Sequence, residues 1–246
     1  MLVAFSSVDK IFYTFQPAIG IPVDLLAILI LSRGKCGLSS CTTRYLLAMA
    51  LSDLFVIITE VILMQINHYY FPICFLDITP ICSGNAVLRG AAIDCSVWFT
   101  IAFSFDRFVA ICCQKLNAKY CTAKTAAVVL ATCCTLLCFA NIPIYFTYEA
   151  GSITDNVPWF CHKKPDFYSE TGWVSFIILW LVNVIEFLYY NLAGIDPNDY
   201  TDAEYIFQQV GIMLRNLSCC TNTFIYAATQ SKFRGKIKAA LSFLVP

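Results

Sequence analysis

The sequence predicts an all-α membrane protein: one domain of about six apolar helices, followed by a short amphipathic helix. Three observations carry this reading. The 246 residues are 59% hydrophobic and only 13% charged, where soluble domains hold about a quarter charged residues. Mean hydropathy is +0.70. The apolar residues gather in runs of roughly 18 or more, the length a bilayer core demands of a helix. Net charge is zero, so the distribution of charge matters more than its total. No basic patch of the kind that binds nucleic acid is present, so membrane lipid is the expected surrounding.

Residues 1–10 form a short tail without the basic region, short apolar core and small-residue site of a cleavable signal. The first span is expected at about 11–31, ending before Arg33-Gly34-Lys35. Pro17 and Pro22 fall inside it, which membrane helices tolerate. Residues 32–43 are a loop, and the second span follows at about 44–67. Residues 68–81 form an aromatic loop without Lys or Arg. The third span, 82–113, makes a helix of roughly 48 Å. Arg89 and Arg107 lie on it 18 residues apart. Five turns separate them, so both sit on one face, about 27 Å apart along the axis. A loop with Lys115, Lys119 and Lys124 precedes the fourth span at about 125–148. A polar loop of mixed charge covers 149–172. The run 173–190 is shorter and interrupted by Asn183 and Glu186, near the lower limit for crossing. An acidic, turn-rich loop leads to the last span at about 203–229. The segment 232–243 reads as an amphipathic interfacial helix.

Orientation follows from Lys and Arg. The basic loops 32–44 and 114–124 belong inside the cell, and 68–81 outside. The N-terminus is then outside. Six crossings from there end outside, yet the basic tail with Lys232, Arg234, Lys236 and Lys238 asks to be inside. The parity fails. Either 173–190 does not cross, or the tail is on the unexpected side, or a span is missing.

The fourteen Cys mostly sit inside apolar runs, where Cys behaves as a small hydrophobe. They show no zinc spacing. There is no HExxH, P-loop or GxGxxG, and neither His68 nor His162 has a helical partner for a metal. No enzyme is expected. The one Asn-x-Ser/Thr sequon, Asn216-Leu217-Ser218, lies inside the last span and should escape glycosylation.

Several short motifs occur in a particular order. Asp53 ends the stretch LAMALSD. Asp106-Arg107-Phe108 closes the third span, with Cys82 25 residues before Arg107. Cys161 lies in the loop after the fourth span. Asn222-Thr223-Phe224-Ile225-Tyr226 is followed by Lys232-Phe233-Arg234. This ordered set resembles the rhodopsin-like (class A) G-protein-coupled receptors. GKCGLSSCTTRYLLAMALSDL, FDRFVAICCQKL and LSCCTNTFIY further resemble the receptors that respond to tryptophan and phenylalanine, with their fish relatives.

The resemblance implies a rhodopsin-like bundle and a set of roles. Cys82 and Cys161 would form the outer disulfide, with Cys74 left unpaired. Asp106, Arg107 and Phe108 would form the G-protein-coupling motif, a charge pair that opens as a switch. Its bland alternative is an interfacial anchor. Asn222 and Tyr226 match the helix-seven motif, with Thr223 for its Pro. Asp53, Ser96 and Asn222 match a sodium pocket. Asp24 stands there where the family usually has Asn, and two close carboxylates cannot easily both ionise. Arg89 stands at the ligand level, where a guanidinium suits the carboxylate of an amino acid. Pairing with Asp94 or Glu186 is its alternative. Trp180 resembles the helix-six tryptophan, beside Asn183, although the family's Pro is absent. Trp98 and Phe99 read as lipid or core packing.

The resemblance also offers a reason for the parity failure. ETGW at 170–173 is similar to the start of helix five, and SFIILW at 175–180 to the middle of helix six. The third inner loop and the adjoining helix halves would be missing. The leading expectation is a plasma-membrane receptor for a small extracellular ligand, an aromatic amino acid or a peptide. It would meet a heterotrimeric G protein, with signalling impaired by the deletion and retention in the endoplasmic reticulum if misfolded. The alternatives are a silent fragment that forms oligomers with full-length receptor, and a six-span carrier. The absence of an internal repeat argues against the carrier.

Overall fold

The first helix shows which solvent this chain is built for. The computed structural model describes residues 2–33, 38–71, 73–112, 121–154 and 156–164, with Ile212, Met213, Asn216, Leu217 and Gly235. Helix α1, Leu2–Ser32, continues through Pro17 and Pro22. Its buried stripe includes Tyr13, Gln16, Asp24, Ala27 and Leu31, while Ile11, Phe15 and Ile19 are each more than half exposed. Polar groups inside and large apolar side chains outside reverse the pattern of a protein in water. Among the described residues, four helices are long and apolar enough to cross a bilayer.

Helix α2 spans Ser40–Tyr70. The Ser39 hydroxyl accepts from the Thr42 N–H at 3.1 Å and caps its start. The helix is α-helical over Ser40–Val56, π-helical over Ile57–Ile66 and α-helical again over Asn67–Tyr70. In the wide segment hydrogen bonds reach five residues back, as from the Asn67 N–H to the Ile62 carbonyl. Such segments are rare and often sit at functional sites. Glu60 is buried within this one.

Helix α3, Thr79–Cys112, has 34 residues and is about 51 Å long. Most of its buried positions are small or polar, Ser83, Ala86, Gly90, Ala91, Asp94, Cys95 and Ser96 among them, with Phe99 and Val109 the large apolar exceptions. Small side chains let membrane helices approach closely, because no hydrophobic force draws them together in lipid. Helix α4, Ala123–Asn141, is capped by Thr122 and continues as a 3-10 turn over Ile142–Thr147. It buries only one narrow stripe, Ala126, Leu130, Leu137 and Asn141. The core joins all four helices through Ala27, Leu31, Leu46, Met49, Phe99, Ala126 and Leu130.

The segment after α4, expected as a loop, contains an antiparallel hairpin. Strand β1, Tyr148–Thr154, pairs with β2, Val157–Lys163. Asn156 takes the left-handed conformation at the turn (φ 61°), which Asn tolerates better than most residues. The hairpin lies at the start of α3. Trp159 bridges to Ile78, the Thr79 hydroxyl donates to the Phe160 carbonyl at 3.3 Å, and Cys82 is bonded to Cys161. The start of α1 meets the end of α2 at the same end of the bundle, where Tyr69 donates to Asp9 and the Lys10 ammonium sits 4.3 Å from the Tyr70 ring centre. That is the outer end by the distribution of Lys and Arg. The spans expected at 173–190 and 203–229 and the amphipathic segment 232–243 lie outside the described residues, apart from the five residues named.

Candidate ligand and signalling sites

Helix α3 carries three polar centres, one at each level of the bundle. At the outer level the Arg89 Nη1 donates to Glu60 Oε2 on α2 at 3.2 Å. The same nitrogen lies 3.1 Å from the Met64 sulfur. The Arg89 side chain is 25% exposed and that of Glu60 1%. An ion pair was the alternative to a ligand role for Arg89; the pair forms, but with Glu60 and not with Asp94. Five residues turn the helix by about 140°, so Asp94 points to a different side of α3. There it accepts from the Asn141 Nδ2 of α4 at 2.7 Å. The other expected partner, Glu186, lies outside the described residues, as do Trp180 and Asn183 of the expected ligand site.

Gly90 makes room for the second of these contacts. A Cβ at that position would sit 2.2 Å from the Asn141 Oδ1. Gly90 and Asp94 are one turn apart, so together they form a notch with a carboxylate at one end, and Asn141 fills it. Neither Glu60 nor Asn141 was singled out from the sequence. Glu60 did leave a signal, a lone acid within the apolar run ITEVILM. Asn141 left none, because an Asn near the end of a span reads as a boundary.

At the middle level Asp53 is fully buried and accepts a short hydrogen bond from the Ser96 hydroxyl. Asp24 of α1 is also fully buried. Hydroxyl and carboxylate oxygens are the hard donors that a sodium ion would take, and of the expected set the structure brings Asp53 and Ser96 together. Asn222, the third expected member, lies outside the described residues, and so does Tyr226. Nearby in sequence, Gln16 donates to the Asn216 carbonyl at 2.8 Å, and Asn216 is fully buried.

At the inner level Arg107 pairs with Asp106. Its Nε donates to Asp106 Oδ2 at 3.1 Å, and its guanidinium lies 5.5 Å from the Phe103 ring centre. Asp106 is buried; Phe108 is more than half exposed. Two thiols complete the surroundings of Asp106. The Cys41 thiol of α2 donates to its Oδ1 at 3.1 Å, and the Cys121 thiol lies 3.9 Å from its carbonyl oxygen. Burial, then hydrogen bonding to Asp106, raises the pKa of the Cys121 thiol. Both thiols stand in segments expected as plain loops, 32–43 and 114–124.

Residues 24–174 match the family described as 7 transmembrane receptor (rhodopsin family). The match takes in more than half of the chain, from the buried Asp24 of α1 past the hairpin. The chain belongs to the rhodopsin family of seven-transmembrane receptors. It is therefore a multi-pass membrane protein of a receptor family, with an extracellular ligand and a G protein as the family's general partners. In this receptor, the matched region contains every centre just described on α2, α3 and α4. The outer, middle and inner centres are strung along one helix that crosses the whole bilayer.

Proposed function

We propose that this receptor takes a small extracellular ligand with a carboxylate, an aromatic amino acid or a peptide, and that Arg89 holds that carboxylate. The observation that carries the reading is the state of Arg89. It stands in the outer half of α3, a quarter exposed, and is braced from one side only. An arginine inside a membrane bundle is costly and is kept for a task. The resemblance to receptors responding to tryptophan and phenylalanine adds the aromatic part. Trp180 and Asn183 would complete the site. The test is binding of tritiated phenylalanine and tryptophan to the purified chain in lipid nanodiscs. Arg89→Ala is expected to weaken binding at least tenfold, and unchanged binding would remove Arg89 from the ligand site.

We further infer that the chain signals poorly. On this reading helix five, the third inner loop and part of helix six are absent around residues 170–176, and the end of the family match close by, at residue 174, supports it. The ion pair of Asp106 with Arg107 supports the reading of these residues as a charge pair at rest. With the neighbours that normally move against that pair removed, the G-protein face is incomplete. A chain that reaches the plasma membrane would bind ligand without coupling, alone or in oligomers with full-length receptor. One that misfolds would stay in the endoplasmic reticulum. Sequencing of transcripts across residues 170–176 tests the deletion itself: continuous reads through an intact helix five would refute it.

A further inference from the structure

We propose that Glu60 sets the charge balance of the ligand site, and so selects zwitterionic amino acids over simple carboxylic acids. The inference rests on the reading of Arg89 as the carboxylate partner and adds a second residue with a separate job. A guanidinium offers five N–H donors in a planar fork. In Arg89 only Nη1 is engaged, by Glu60 with Met64 beside it. The edge formed by Nε and Nη2 has no hydrogen-bond partner among the described residues. That edge is the one shaped for two parallel bonds to a carboxylate. Glu60 sits behind the guanidinium at 1% exposure, and Arg89 in front at 25%. Glu60 thus does not meet the ligand. It is a positioning residue that fixes the fork, and the π-helical turn of Ile57–Ile66 is what carries it.

The same pair has a second consequence. Glu60 already cancels the charge of Arg89. A ligand that brings only a carboxylate leaves this group of described residues, Arg89 and Glu60, with one net negative charge. In a poorly screened interior such an excess is expensive, since unit charges several Å apart still interact strongly at an effective dielectric near 20. A ligand whose own ammonium stands beside its carboxylate adds no net charge. The site therefore prefers the zwitterion, although no described residue needs to touch the ammonium.

Two probes with the same ring and carboxylate separate the cases: L-phenylalanine, and 3-phenylpropionate, which lacks the ammonium. Their affinities are to be measured on the full chain in nanodiscs, for wild type, Glu60→Gln and Glu60→Asp. Wild type is expected to favour phenylalanine by roughly tenfold or more, on the scale of one unit charge a few Å away. Glu60→Gln should erase or invert that preference, chiefly by strengthening phenylpropionate binding, and Glu60→Asp should restore it. A loss of structure alone would weaken both probes together. Equal affinities in wild type, or a ratio that Glu60→Gln leaves unchanged, would overturn the proposal while leaving Arg89 in place. Failure of both probes to bind wild type would overturn the underlying reading as well. Should Glu60→Gln not fold, the wild-type ratio alone decides.

Discussion

Gly90 decides how closely α3 and α4 approach. Any side chain there meets Asn141, which is held at the same time by Asp94. Gly90→Ala should therefore cost about 1–3 kcal/mol, the usual penalty for overpacking, and lower the thermal midpoint of the purified chain. Pairing it with Asn141→Ala should recover part of that loss, since the clashing amide is then gone. Asp53 makes a different demand. If it holds sodium with Ser96, replacing sodium by choline should lower the midpoint of wild type and leave Asp53→Asn unmoved. A wild-type midpoint indifferent to sodium would remove the ion from the account. At this scale the sequence was readable wherever a charge interrupts an apolar run. Arg89 stood out for that reason and Glu60 could have; Asp53 and Asp106 stood out through the ordered motifs they belong to. Asn141 and the thiols of Cys41 and Cys121 could not, because their meaning lies in which helix they face.

Among the elements, the hairpin depends most on a covalent tie. Cys82–Cys161 closes a separation of 79 residues, for which loss of the cross-link costs about 4.5 kcal/mol by chain entropy. Cys82→Ser and Cys161→Ser should lower stability alike, and the double variant should be no worse than either. Hydrogen exchange should rise in β1 and β2 more than in α2. The four described helices were legible from their length and apolar character. The hairpin was not, because residues 148–163 show no clean alternation and their pairing follows from the tie to α3. The π-helical turn of α2 was equally hidden. Ile57–Ile66 is a plain apolar run, and nothing in its composition distinguishes wide turns from ordinary ones.

The whole molecule raises the question of sidedness. Basic loops place 32–44 and 114–124 inside, and the outer cluster of Asp9, Tyr69, the hairpin and the disulfide occupies the opposite end. A C-terminal tag should therefore settle the parity problem. Detection only after permeabilisation means an odd number of crossings; detection on intact cells means an even number. Ligand-evoked calcium is expected to be absent in cells expressing this chain alone, and a robust response would show the G-protein face to be complete. The class of fold was readable from composition and run length. The number of crossings was not, because 173–190 is marginal by the same criteria that make the other runs plain.

The disulfide has one more consequence, in time. Ribosomes deliver roughly 5–20 residues each second, so Cys161 follows Cys82 out by about 4–16 s. Helices form in about a microsecond, so α3 and α4 stand ready when the second cysteine arrives. The bond can then form in the lumen while the remaining chain is still being made. A bond made at that point seals the outer end first, and the later segments then assemble around a half that is already closed.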